Sequence, residues 1–246
     1  MENHMLDTRS DLLLRPVEEK DRDDILQWRN SDSVRPYMYN DNVISQDDHN
    51  KWFSSMLQDE TKSYWVIELE QRPVGVVNLT NIDSENRSCD WAFYIFDANV
   101  RGKGVGSYVE KSVLHHVFEE RKLNKLNCEV LETNQKVVEM HKKFGFKQEG
   151  FFRDFIKRPQ GYIGVHRLSM LKEDYKLSNR PKTSIDRDLE IIDKIQAIRS
   201  KNNINWMDVL RLCLKENNKE AKKIIANINS HDSEISALVE ELAKNE

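Results

Sequence analysis

The stretch VRGKGVGSYVEKSV, residues 100–113, constrains the fold of this chain most, because three of its eight glycines fall there within five positions. It follows SCDWAFYIF, an apolar and aromatic run that reads as a strand. It leads into a segment where Val105, Val109, Val113 and Val117 recur every fourth residue, with Leu114 and Phe118 beside them. That spacing stacks the valines on one helical face. The glycines therefore mark a strand, loop and helix junction. Two phosphate-binding readings fail on spacing: Gly102, Gly104 and Gly106 give GxGxG rather than GxGxxG, and no GxxxxGK followed by Ser or Thr is present. What remains is a glycine-relieved backbone at a helix N-terminus, where orphan N–H groups and the helix dipole favour an anion. Arg101 and Lys103 add positive charge. The alternative is a tight turn that needs positive φ at one glycine.

The surrounding pattern is alternating strands and helices. LLL at residues 12–14 predicts a short strand, and helical spacing follows over residues 21–30. Ser45 with Asp48 predicts a capped helix through Trp52, Phe53, Met56 and Leu57. SYWVIEL and PVGVVNLT predict a hairpin. Downstream, KLNCEVL predicts a strand and NQKVVEMHKKF a helix with a core stripe of Val137, Met140 and Phe144, stopped by Gly145. EGFFRDFI and YIGVHRLSML predict a final strand pair. The sum is an α+β domain over residues 1–178, with a mixed, mainly antiparallel sheet flanked by helices. From Lys182 to the end there is no glycine or proline, and helical patterns run over 189–198, 206–214, 221–228 and 235–242. Residues 179–246 thus read as a small all-α appendage.

A net charge of −4 gives no general pull toward nucleic acid or anionic lipid. The start MENHMLDTRSD has no apolar run, and no segment approaches the roughly 18 apolar residues of a membrane span. The expected compartment is the cytoplasm. Cys89, Cys128 and Cys213 lie far apart without a CxxC pair, so they read as reduced packing residues, and no metal site is expected.

Arg101, Gly104 and Gly106 fit the pattern R/QxxGxG/A, and in this respect the chain resembles the GCN5-related N-acetyltransferase (GNAT) superfamily. NQKVVEMHKKFGF is similar to that family's later motif: Asn134, Gly145 and Phe146 match, and His141 stands where the family usually has Tyr. The resemblance covers roughly residues 10–175. It implies acetyl-CoA as cosubstrate, with its pyrophosphate on the backbone of Arg101, Gly102, Lys103, Gly104, Val105 and Gly106. It also implies Asn134 beside the cosubstrate, and a main-chain N–H near Tyr94 and Ile95 holding the acetyl carbonyl.

The same resemblance implies roles for two titratable residues. Asn134 and His141 are seven apart, which places both on one side of a helix. Relatives use Tyr at the second position to protonate the departing CoA thiolate, and a histidine can also donate there. The other reading of His141 is a half-buried histidine satisfied by a backbone carbonyl. Glu129 alternates to the face opposite Leu126, Cys128 and Val130, and a Glu at that place serves some relatives as base. A solvent-facing strand glutamate is the alternative. Asp90 and Asp83 are weaker candidates, and His115 and His116 read as structural.

WRNSDSVRPYMYNDNVISQDDHNKW is similar to acetyltransferases of bacterial surface-sugar pathways, above all those that N-acetylate the 4-amino group of a UDP-linked amino-dideoxy sugar toward pseudaminic acid and flagellin glycosylation. This implies Arg29 or Arg35 on a substrate diphosphate, and Tyr37, Tyr39 or His49 on the sugar or base. Each of the five also reads as an ordinary loop or core residue. The expectation is an acetyl-CoA-dependent N-acetyltransferase of a nucleotide-sugar amine. Alternatives are a protein N-terminal or lysine acetyltransferase and a non-catalytic acetyl-CoA-binding regulator. No nucleic-acid or membrane partner is expected, and the C-terminal helices would serve a homo-oligomer or a protein partner.

Overall fold

The structure is a computed structural model and describes residues 11–100, 102–179, 191–192, 194–200, 233–238 and 240. In chain order the elements are β1 (Leu12–Pro16), α1 (Arg22–Arg29), α2 (Gln46–Gln58), β2 (Ser63–Leu69), β3 (Arg72–Asp83), β4 (Ser88–Ile95) and α3 (Val105–His115). They continue with β5 (Lys125–Leu131), α4 (Gln135–Phe144), β6 (Lys147–Arg158), β7 (Gly161–Leu171) and α5 (Lys172–Asn179). Local chemistry sets several boundaries. Ser45 caps α2 by accepting the Asp48 N–H at 3.2 Å. Gly145, at φ 103°, ends α4 in the left-handed conformation that a side chain disfavours.

The strands form one sheet in the order β1-β2-β3-β4-β5-β7-β6. Every neighbouring pair is antiparallel except β4 and β5. Strand alternation divides the apolar residues between two faces. On one face Trp65, Ile67, Leu79 and Trp91 pack with Val109 and Val113 of α3 and Val138 of α4. On the other, Val66 and Val76 pack with Ile25 and Trp28 of α1 and Phe53 and Met56 of α2. The expected α+β class, with a mixed and largely antiparallel sheet between helices, is the observed one.

Two helices differ from the expected pattern. The buried positions of α4 are Val138 and His141, while Val137, Met140 and Phe144 are partly buried, so a titratable ring sits in the stripe. The helix predicted through Val117 is α-helical to His115 and continues as a π-helical turn, His116–Glu120. There His116 Nδ1 lies 2.6 Å from Glu120 Oε2, and Arg121 Nε donates to His116 Nε2 at 2.9 Å. That accounts for His116 as a structural residue.

Residue contacts divide the chain into Met1–Asn179 and Arg180–Glu246. The described parts of the second unit are helical, and the predicted helices at 206–214 and 221–228 lie outside the described residues. Among the described residues no helix is long and apolar enough to cross a membrane, and no group of His, Cys, Asp or Glu could hold a metal ion.

The approach of β3 to β4 is close at Gly75. A Cβ there would lie 2.3 Å from the Tyr94 carbonyl oxygen and 3.2 Å from Ile95 Cα. Both are backbone atoms, so no rotamer change relieves the clash. Gly75→Ala should therefore destabilise the fold by about 1–3 kcal/mol, the usual cost of overpacking a tight site. The measurement is the midpoint of denaturant unfolding, and a wild-type midpoint would contradict this account.

Candidate active site

The parallel pairing of β4 and β5 lasts for three residue pairs, Ser88 with Lys125, Cys89 with Leu126 and Asp90 with Asn127. The Asn127 side-chain amide donates to the Cys89 carbonyl at 3.2 Å, near the last rung. Beyond it, Trp91 to Ile95 and Cys128 to Leu131 line a cavity of about 700 Å³. The Phe96 N–H donates to Val74 O on β3 at 3.0 Å. Amides alternate along a strand, so the N–H groups of Phe93 and Ile95 face the opposite, unpaired edge. Of the two residues expected to hold an acyl oxygen, Ile95 offers its amide to the gap. Tyr94 offers its own to β3, and its phenol is pushed up by burial in the second core.

At the mouth of α3, Gly102 and Gly104 both hold left-handed φ, 80° and 78°. Gly104 is the N-cap, and the Tyr108 N–H donates to its carbonyl at 3.0 Å. The amides of Val105, Gly106 and Ser107 therefore precede the first closed turn and point out of the helix end. A Cβ on Gly106 would meet Met140 Sδ at 3.4 Å and the Phe93 ring at 3.7 Å, so this residue joins α3 to α4 and β4. Val105 is buried in the core, and the Lys103 N–H donates to Val100 O at 3.2 Å. Arg101 lies outside the described residues.

Asn134 precedes α4 without capping it through its side chain, and it lines the cavity with Val137 and His141. His141 is 3% exposed, with its ring edge-on to Trp91 at 5.2 Å and tilted on Phe146 at 5.3 Å. Its partner is a carboxylate, not a backbone carbonyl: Nδ1 lies 2.8 Å from Oε1 of Glu110, which is 0% exposed. Burial pushes the Glu110 carboxyl above the ordinary range, and the His141 contact pulls it part of the way back. Sequence reasoning missed Glu110. Its signal was a charge inside an apolar face, with Val113, Leu114 and Val117 three, four and seven residues on.

The second titratable cluster joins four strands. Arg167 of β7 donates to Glu129 Oε1 at 2.7 Å and to Asp90 Oδ1 at 3.2 Å, and Asn81 donates to Asp90 Oδ2 at 2.7 Å. The Tyr39 hydroxyl donates to Glu129 Oε2, and its phenol is pushed up by burial and by that carboxylate. The segment carrying Tyr39 is held by Arg158 of β6, which reaches the carbonyls of Met38 and Tyr39 and pairs with Asp41 at 3.0 Å. Tyr37, Tyr39, Asp90, Glu129 and Arg167 all line the cavity. Asp83 does not, and holds a turn through Asn86.

A second space of about 700 Å³ adjoins the first, sharing Met38, Ala92, Phe93 and Tyr94. Arg29 and His49 line it, together with Asp48, Trp52 and Tyr64. Arg29 donates to the Asn40 carbonyl at 2.6 Å, and His49 is tied through Nε2 to Arg22 O at 2.7 Å. Arg35 pairs with Asp32 at 3.4 Å and lines neither space. Burial pushes the Cys89 thiol up to about 12 and that of Cys128 higher, so neither is a thiolate near neutral pH. Cys213 lies outside the described residues.

A model of the acetyltransferase (GNAT) domain matches residues 11–147, and the chain belongs to this family. Acetyltransferase PseH of Campylobacter jejuni (strain 81-176) is 26% identical over 131 residues, 53% of this chain and 80% of PseH. Spermidine N(1)-acetyltransferase of Escherichia coli K12 is 26% identical over 163 residues, 66% of this chain and 87% of that enzyme. The crystal structure of spermidine N-acetyltransferase from Vibrio cholerae with CoA and spermine superposes with a TM-score of 0.64 at 24% identity, covering 68% of this chain and 99% of that one, a likeness of fold. The protein is an acetyl-CoA-dependent acyltransferase.

These likenesses correct the surface-sugar expectation. The likeness to PseH spans about half of the chain and 80% of PseH, whereas the spermidine acetyltransferases span about two thirds of the chain and 87–100% of themselves. In the site, Arg29 donates to the Asn40 carbonyl, and Arg35, paired with Asp32, lines neither space. The nucleotide-sugar acceptor therefore falls, and with it the assignments to pseudaminic acid and flagellin glycosylation.

The left-handed glycines fit the cosubstrate, because a backbone bare of side chains lets anionic oxygens reach the amides of the helix end. Acetyl-CoA should raise the melting temperature of the wild-type protein by mass action. Gly104→Val strains φ and blocks that approach, so the shift should vanish. A full shift in the variant would move the cosubstrate site elsewhere.

Proposed function

We propose that this protein transfers the acetyl group of acetyl-CoA to a primary amine of a polyamine such as spermidine. The observation that carries the reading is that Asp90 and Glu129, bridged by Arg167, both line the cavity where β4 and β5 part, beside the open amide of Ile95. A polyamine is a chain of cations without an anionic group, so carboxylates and aromatic faces recognise it. The second space adds Asp48, Trp52 and Tyr64 at the distance of a neighbouring lobe. The spermidine N(1)-acetyltransferase relative supports the same class of acceptor.

The chemistry needs two proton transfers. An amine with pKa near that of lysine, about 10.4, is free base in fewer than one molecule in a thousand at neutral pH, so a base beside it matters. Glu129 serves as that base, directly or through water, at the oxygen now taken by the Tyr39 hydroxyl. The free amine attacks the acetyl carbon, and the Ile95 N–H receives the developing oxyanion. His141 then gives a proton to the departing thiolate. Asn134 and the first-turn amides of α3 hold the cosubstrate. We place the reaction in the cytoplasm, where acetyl-CoA is available.

The test is product analysis with acetyl-CoA and spermidine, spermine or a lysine peptide as competing acceptors. N-acetylspermidine as the favoured product supports the reading, and acetylation of the peptide alone overturns it. The companion variant is His141→Asn, whose amide stands near the Nδ1 position and keeps a donor on Glu110 while removing Nε2. It should lower kcat roughly 10²- to 10⁴-fold with the KM for acetyl-CoA nearly unchanged. A wild-type rate in this variant would leave His141 without a part in proton transfer.

A further inference from the structure

Outside the motifs that identify the family, the feature that points furthest is the buried contact between α3 and α4. Glu110 and His141 meet at 2.8 Å, both almost fully buried, and the histidine lines the cavity. The second oxygen of Glu110, Oε2, is buried with no hydrogen-bond partner among the described residues. A carboxylate in that position is costly unless its charge is answered, and the partner in reach is the imidazole. With Nδ1 engaged, Nε2 is the ring nitrogen left to serve the cavity.

We infer that Glu110 is a positioning residue for acetyl transfer: with His141 it forms a unit that stores one proton and presents it at Nε2 to the departing sulfur. The inference rests on the proposed role of His141. Two arrangements of the stored proton are chemically equivalent here. Either an imidazolium faces a carboxylate, or a neutral imidazole with Nε2–H accepts from a protonated Glu110. Both put a proton on Nε2, and after its departure both end as carboxylate with neutral Nδ1–H imidazole. The pair titrates as one system. Burial, which raises the carboxyl, favours keeping the extra proton within the pair.

The step balances. The amine nitrogen forms a bond to the acetyl carbon, the carbon–sulfur bond breaks with its electron pair on sulfur, and the Nε2 proton passes to that sulfur. The acceptor ammonium loses two protons in all. One restores the Glu110–His141 pair and the other leaves to solvent. The products are the amide, CoA thiol and one released proton.

The groups that face the pair from β4, β5 and the end of α4 are uncharged. On β4 the facing group is Trp91, which carries no charge, and on β5 it is Cys128, held neutral by burial. Phe146, just beyond α4, covers another side of the ring. Lys136 on α4 and the cluster of Asp90, Glu129 and Arg167 share the cavity wall and contribute charge at longer range.

Glu110→Gln tests the inference in the full-length protein, because it keeps size and hydrogen bonding while removing the charge. The alkaline limb of kcat with acetyl-CoA and spermidine should move to lower pH by about one unit or more, since the anion that favours the protonated ring is gone. The acetyl-CoA thermal shift should stay as in wild type. The second readout needs no acceptor: nitrogen-15 shifts of His141 across the same pH range. Their midpoint should be lower in Glu110→Gln than in wild type. Unchanged pH limb and unchanged midpoint would overturn the inference. If His141→Asn loses activity while Glu110→Gln keeps the wild-type profile, the role of Glu110 fails alone. If His141→Asn keeps the wild-type rate, both fail. If spermidine is not a substrate, the nitrogen-15 titration decides.

Discussion

Everything that makes a site in this fold depends on two central strands that cease to pair. In most sheets, strands in the middle satisfy their backbone groups on both edges, and an unpaired buried amide is costly. Here β4 and β5 share three rungs and then part, while each stays anchored on its other side. β4 runs against β3 from Ser88 to Ile95, and β5 against β7 from Lys125 to Leu131. The walls are therefore rigid although the gap is open. The amides of Phe93 and Ile95 are left facing a space in which a ligand's oxygens can accept them.

Both rims of the gap are closed by side chains from distant parts of the chain. On one face Trp91, His141 and Phe146 pack edge-on and tilted against one another from β4 to the end of α4. On the other, Arg167 ties Asp90 to Glu129, and Tyr39 reaches Glu129 from a segment ninety residues away. That segment is held by Arg158, beyond an irregularity in β6 between Phe152 and Ile156, where Asp154 takes φ 52°. A bulge of this kind re-aims a strand. The edge strand β6 thus holds the segment that brings Tyr39 to the cavity.

Periodicity made the elements legible, and the junction of strand, glycine loop and helix expected from the glycines is observed between β4 and α3. Glu129, singled out by strand alternation, and His141, singled out by its spacing from Asn134, both line the cavity. The connections between them were not legible. Arg167 and Asp90 are seventy-seven residues apart and Arg158 and Tyr39 more than a hundred, and no local pattern reports a contact across such a separation. The acceptor was misread for a related reason. Arg29 or Arg35 was expected on a diphosphate, but in the fold Arg29 donates to the Asn40 carbonyl and Arg35 pairs with Asp32.

The departure at His141 and the stray charge at Glu110 have a single physical explanation. A tyrosine, with a pKa near 10, holds its proton at neutral pH without help, so a family that donates from Tyr needs no anion behind it. A histidine, near 6.5, has mostly lost its second proton by then and is a poorer store unless something stabilises the charged form. Glu110 answers that need at 2.8 Å, where it meets the face of α4 that carries His141. The converse also holds. Opposite a tyrosine hydroxyl, the same buried carboxylate would lack a cation, a cost of several kcal/mol in a dry interior. Each residue is thus reasonable only with the other present, and the pair converts a proton donor that works by its own acidity into one that works by its neighbour's charge.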